Sequence, residues 1–134
     1  MKVWLIGGGC GPATLTLEAK RAIDGAELLL GSQRLLADCP GRRTIPAYRP
    51  AELMALLERE GPERACVLYS GDTGFYSGAL GLLPLLEERN IEYCLLPGIS
   101  SLQVLSARVG RPWQDWRLCS AHGVALDPIP PVME

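Results

Sequence analysis

One histidine, His122, is all the chain has, and none of its five cysteines stands in a Cys-x-x-Cys pair. A zinc site would have to gather its ligands from distant parts of the chain. Cys10, Cys39, Cys66, Cys94 and Cys119 are odd in number and widely spaced, which argues against a disulfide framework. A long apolar run is also lacking. The longest, around Gly78 to Leu86, falls far short of the roughly 20 residues of a membrane span. Val3 to Ile6 is too short for a signal-peptide core of about 7–15 residues. There is no excess of positive charge: 13 basic residues against 15 acidic ones leave a net charge of −2. Nucleic-acid affinity comes largely from neutralised phosphates, so that balance argues against a nucleic-acid partner. Low-complexity segments and internal repeats are absent. Together these gaps predict a soluble cytoplasmic protein with no nucleic acid, no membrane and no metal. The 134 residues are 48% hydrophobic and 21% charged, enough for one core and too few for two full lobes.

The apolar pattern alternates between short runs and helical spacing. Val3 to Ile6 reads as a buried strand that ends in Gly7-Gly8-Gly9-Cys10-Gly11-Pro12. Thr14 or Thr16 caps a helix to about Ile23. Glu27 to Leu30 is a second strand, and Ser32 caps a short helix carrying Leu35 and Leu36. A brief strand is expected over Thr44 to Tyr48. Pro50 suits the first turn of a helix reaching about Glu60. Ala65 to Tyr69 is the next strand, followed by a helical region from about Tyr76 to Arg89, where Pro84 implies a kink or a late start. Glu92 to Leu96 is a strand, Ser100 or Ser101 opens a helix to about Val109, and Trp116 to Ser120 reads as a last strand. The tail around Asp127 to Pro131 reads as extended. Such alternation predicts an α/β fold: a mostly parallel sheet with helices on both faces. Cys66, Cys94 and Cys119 fall in strand-like runs and read as small hydrophobes.

Ligands of such sheets bind where loops leave the carboxyl ends of the strands. Three loops here do so: Gly7 to Pro12, Ser70 to Ser77 and Pro97 to Ser101. The first fails both nucleotide fingerprints. The third glycine of Gly-x-Gly-x-x-Gly falls on Pro12, and no Gly-Lys-Ser/Thr triplet occurs. Its glycines serve either a tight turn or close approach to a ligand. In the second loop Asp72 is a turn or capping residue on one reading and a site residue on another. Phe75, the only phenylalanine, is either core or the wall of an apolar pocket. The third loop, taken alone, is a turn plus a helix cap.

Taken in order, these segments resemble the tetrapyrrole methylase family, which uses S-adenosylmethionine. Ser70-Gly71-Asp72-Thr73-Gly74-Phe75-Tyr76-Ser77 is similar to its Gly-Asp loop, and Pro97-Gly98-Ile99-Ser100-Ser101 to its Pro-Gly-Ile-Ser-Ser segment. With Arg111-Pro112-Trp113 and Ser120-Ala121-His122-Gly123, the wording is most like the branch that methylates C5 of a precorrin or cobalt-precorrin in cobalamin biosynthesis. The resemblance runs across residues 2–123. It implies an amino-terminal methylase lobe over residues 1–120, with 121–134 an extended tail or the start of a second lobe. It implies S-adenosylmethionine as cofactor, held by Cys10, Gly71, Asp72, Phe75, Gly98, Ser100 and Ser101. No catalytic acid or base is expected, because displacement at a sulfonium methyl needs alignment in a dry cleft above all. Three positions depart from the family pattern. Cys10 stands at the usual proline, Pro12 at the usual aspartate and Thr73 at a frequent proline, so a carboxylate that normally faces the cleft is missing.

The implied substrate is a tetrapyrrole, a multi-carboxylate macrocycle for which arginine is a natural partner. Arg34, Arg42, Arg43 and Arg49 are candidates, with an ordinary solvated face as the competing reading. His122 is likewise either a cleft residue or a structural one. Two-lobed relatives hold the methyl donor between lobes, so this chain is expected to work with a complementary second lobe or as a homodimer. The alternatives are a methylase of the same family with another acceptor, such as another ring carbon or a protein side chain, and a non-catalytic half-module that dimerises.

Overall fold

The short apolar runs from Val3 to Leu96 form strands, and the stretches of helical spacing between them form helices. The computed structural model describes residues 1–118. The strands are β1 (Lys2–Gly7), β2 (Leu28–Gly31), β3 (Thr44–Pro46), β4 (Arg64–Tyr69) and β5 (Glu92–Leu96). The helices are α1 (Leu17–Gly25), α2 (Gln33–Leu36), α3 (Pro50–Glu60), α4 (Ala79–Glu88) and α5 (Ser101–Val109). None is long and apolar enough to cross a membrane. Cys119, Ser120, His122 and the expected extended tail lie outside the described residues.

Helix starts follow local chemistry. The hydroxyls of Thr16, Ser32 and Ser100 accept the backbone N–H groups of Ala19, Leu35 and Gln103, which the first turn of a helix leaves without partners. Thr16, not Thr14, is therefore the cap of α1, and Ser100 rather than Ser101 that of α5. Gln103 returns the bond to the Ser100 N–H at 2.7 Å and completes a capping box. Pro50 opens α3, where a missing N–H costs nothing. The fourth helix starts late, at Ala79 instead of Tyr76. Tyr76 sits at φ 48°, a left-handed conformation that a right-handed helix cannot include. Pro84 is accommodated inside α4.

The last expected strand is absent from its described part. Trp113 to Trp116 fold into a turn, closed by a 3.0 Å bond from the Trp116 N–H to the Trp113 carbonyl. Trp116 to Leu118 then pair with no strand among the described residues.

The five strands form one sheet in the order β3-β2-β4-β1-β5, with every pairing parallel. Two apolar layers cover it. Leu53, Met54 and Leu57 of α3 and Ala79, Leu82 and Leu86 of α4 pack on one face, against Val3, Leu5, Leu28, Leu30 and Val67. Ala19 and Ile23 of α1 and Leu36 of α2 pack on the other, against Ile6, Leu29, Cys66 and Leu68. The chain leaves β1 toward α1 on one face and leaves β4 toward α4 on the other. Adjacent strands whose connections depart in opposite directions open a crevice at their carboxyl ends. That crevice, between β1 and β4, is where the glycine loops sit.

Candidate functional site

The loops after β1, β4 and β5 meet backbone to backbone. Past the parallel β1–β4 ladder the Gly8 N–H donates to the Tyr69 carbonyl, and Gly9 and Gly71 form an isolated antiparallel bridge, exchanging bonds of 3.1 and 2.9 Å. Such approach demands glycine. A Cβ on Gly7 would stand 2.7 Å from both the Gly71 carbonyl oxygen and the Gly98 nitrogen. A Cβ on Gly98 would collide with the carbonyl oxygens of Gly71 and Gly7. The third loop, 27 residues beyond Gly71 in sequence, is thus locked into the seam of the other two.

Side chains tie the same seam. One oxygen of the Asp72 carboxylate accepts the Gly98 N–H at 3.0 Å, and the other accepts the Gly74 N–H at 3.2 Å. The Thr73 hydroxyl donates to the Leu96 carbonyl at 3.2 Å, and the Cys10 thiol donates to the Ile99 carbonyl at 3.4 Å. Within the first loop, the Thr14 hydroxyl accepts the Cys10 N–H and donates to the Gly11 carbonyl. Asp72 is therefore a turn residue as well as a strut between loops. Ser100 is buried, and its hydroxyl is used in capping α5.

Beside the seam lies an open cleft of about 880 Å³. Of the residues expected at the site, Cys10, Gly71, Phe75 and Ser101 line it. Asp72, Gly98 and Ser100 stand behind them and hold the loops. The cleft wall also carries Tyr76, which lies within the Ser70 to Ser77 motif but was not named as a site residue, and Tyr48 and Tyr69, which no motif contains. Phe75 and Tyr76 meet edge to face, with ring centroids 5.0 Å apart and planes at 69°. Tyr76 lines the cleft with a left-handed backbone, and such strain tends to persist at ligand sites. A signal for these residues existed only in part. Tyr69 abuts the Ser-Gly-Asp segment in sequence, whereas Tyr48 reaches the cleft from the chain after β3.

The arginines divide. Arg34 lines the cleft and makes no hydrogen bond or ion pair among the described residues. Arg42 instead caps the end of α1, donating to the carbonyls of Ile23, Asp24 and Ala26. Arg43 pairs with Glu60 at 2.6 Å. Those two are structural, because the fold brings unmet carbonyls and a carboxylate to them first. Arg49 precedes α3 as an exposed residue and does not line the cleft. Among the described residues no group of three His, Cys, Asp or Glu side chains could hold a metal ion. Cys66 is buried in the sheet, and burial pushes its thiol up to about 12. Cys94 is only half-buried, because β5 is an edge strand.

A family model for tetrapyrrole (corrin/porphyrin) methylases matches residues 2–132. The chain belongs to the tetrapyrrole methylases. Among curated relatives, it is 33% identical over 121 residues to a cobalt-precorrin-7 C(5)-methyltransferase of Salmonella typhimurium, covering 86% of this chain and 59% of that protein. A solved precorrin-6Y methylase of cobalamin biosynthesis from Archaeoglobus fulgidus superposes with a TM-score of 0.62 and 31% identity, over 83% of this chain and 59% of that one. A uroporphyrin-III C-methyl transferase from Thermus thermophilus, solved with S-adenyl homocysteine, superposes with a TM-score of 0.67 and 26% identity, over 79% and 52%. This tetrapyrrole methylase chain therefore spans between half and three-fifths of the length of these relatives.

Proposed function

We propose that residues 1–120 form the amino-terminal lobe of an S-adenosylmethionine-dependent C-methyltransferase, acting in the cytoplasm on C5 of a precorrin or cobalt-precorrin. The observation that carries this reading is the convergence of three glycine-built strand tips beside one cleft. At about 880 Å³ the cleft falls within the range of small-molecule sites, roughly 300–1,000 Å³. Its glycine, serine and aromatic lining suits a nucleoside-like donor. Cys10, Gly71, Phe75 and Ser101 contact that donor, while Asp72, Gly98 and Ser100 keep the contacting loops in register. When bound, S-adenosylmethionine supplies a methyl group on a positively charged sulfonium. The work left to the chain is to orient the acceptor and exclude water, which needs no proton relay. Arg34, exposed and unpaired on the cleft wall, meets a carboxylate of the macrocycle.

The donor pocket is completed by a complementary second lobe. Leu95, Ile99, Leu105, Val109, Trp113 and Leu118 are each exposed from β5 onward, apolar side chains on a part of the surface open to such a lobe. The same surface favours a second reading, in which two copies of this chain pair through it.

Two measurements test the proposal. Titration calorimetry of the chain alone is expected to show weak or no donor binding, and tight binding would contradict a shared pocket. Chain plus complementary lobe is expected to add one methyl group to a precorrin, read by mass spectrometry of the product. Methylation of another ring carbon or of a protein side chain would move the acceptor within the family. No transfer with any acceptor, together with a stable dimer in sedimentation, would favour the half-module.

A further inference from the structure

Tyr69 closes β4 on the face packed by α3 and α4, and it is only 5% exposed. Its hydroxyl oxygen is buried and has no hydrogen-bond partner, alone in this respect among the described side chains. The ring passes beneath Gly78: a Cβ there would stand 3.3 Å from the ring edge and 3.8 Å from the Tyr48 hydroxyl. Gly78, Tyr48 and Tyr69 all line the cleft, so the buried phenol is packed directly under the part of the lining formed by Gly78. Buried hydroxyls nearly always find a partner, because leaving one unmet costs free energy that a same-shaped phenylalanine avoids. Desolvation holds the phenol above its ordinary range, with a lesser contribution from Tyr48, so it stays protonated and able to donate.

We propose that the Tyr69 hydroxyl is a recognition group for the acceptor, donating a hydrogen bond to a carboxylate oxygen of a macrocycle seated in the cleft. This rests on the reading that the cleft takes a polycarboxylate macrocycle, and it adds the residue that selects among such ligands. A site built to satisfy a buried donor discriminates sharply against ligands that lack the matching acceptor. Access requires a turn of the cleft wall. Arg34, which lines the same cleft from the α2 side, supplies the opposite charge for another carboxylate of the macrocycle.

The test uses the 134-residue chain, its Tyr69→Phe and Arg34→Gln variants, and uroporphyrin as an octacarboxylate probe followed by fluorescence. Tyr69→Phe is expected to keep or raise the thermal midpoint, since an unmet hydroxyl is removed. Its dissociation constant for uroporphyrin is expected to rise about tenfold. Equal affinity of wild type and Tyr69→Phe, with Arg34→Gln weakened, would overturn this inference and leave the acceptor reading standing. No uroporphyrin binding by the wild type would overturn both.

Discussion

Replacing Gly98 by alanine probes the seam directly. The added methyl would collide with the carbonyl oxygens of Gly7 and Gly71, which are backbone atoms at the tips of β1 and β4 and cannot swing away as a side-chain end does. Overpacking costs about 1–3 kcal/mol where neighbours can adjust. Here the third loop must also retreat, stretching the 3.0 Å bond from the Gly98 N–H to the Asp72 carboxylate. Hydrogen bonds to charged groups contribute about 1.5–3 kcal/mol. The expected loss is therefore about 3 kcal/mol or more, equivalent to about 10 °C in the unfolding midpoint of a chain this size. Gly41→Ala is the control. Gly41 has φ 76° with nothing near its would-be Cβ, so its cost is only the backbone strain of about 1 kcal/mol. Circular dichroism melts and urea titrations of both variants give the comparison. If Gly98→Ala were no more costly than Gly41→Ala, the three tips would not be in contact, and the cleft would lose its framework.

Asp72→Ala frees the Gly98 and Gly74 N–H groups at once and is expected to destabilise by about 2 kcal/mol, read from urea unfolding. An unchanged midpoint would remove its role as a strut. Arg59 and Arg43 hydrogen-bond the Glu60 carboxyl and hold it below the usual carboxylate range. A depressed carboxyl contributes stability above its unfolded-state pKa and loses it as pH falls through the folded one. Arg43→Gln is therefore expected to raise the Glu60 pKa in an NMR titration and to flatten that part of the acid slope, and an unmoved Glu60 would refute the pairing. With its pKa raised to about 12 by burial, Cys66 is expected to resist alkylation in the folded chain while exposed Cys10 reacts. Peptide mapping after brief iodoacetamide treatment shows which is labelled, and early loss of Cys66 would contradict its place in the sheet.

Much of the fold was legible because its signals are local. A serine or threonine two or three residues ahead of an N–H caps a helix wherever that helix packs, so Ser32 and Ser100 were readable from their neighbours. Four-residue apolar runs such as Leu28 to Gly31 are buried on both faces, as parallel strands require. Misreadings came where a single backbone angle decided. Tyr76 at φ 48° delayed α4, and Trp116 to Leu118, the described part of the last expected strand, pair with no strand among the described residues. The arginine cluster, offered as candidates beside an ordinary solvated face, could not be divided in sequence for another reason. Proximity in sequence did not say that Arg42 would meet the end of α1 and Arg43 meet Glu60, leaving Arg34 alone in the cleft.

By itself the sequence determined the alternation of elements, the helix starts and, through three ordered motifs, the family. Those depend on interactions among residues a few positions apart, or on wording that survives without any fold. Tertiary structure decided the rest. Which strands are neighbours depends on how two apolar faces are buried at once, and that choice sets β4 between β2 and β1. Only then does Gly98 meet Gly7, across 91 residues, and only then does Asp72 acquire the N–H it holds. The unmet hydroxyl of Tyr69 belongs to the same class. A side chain's lack of a partner is a property of everything packed around it, and no window of sequence contains that.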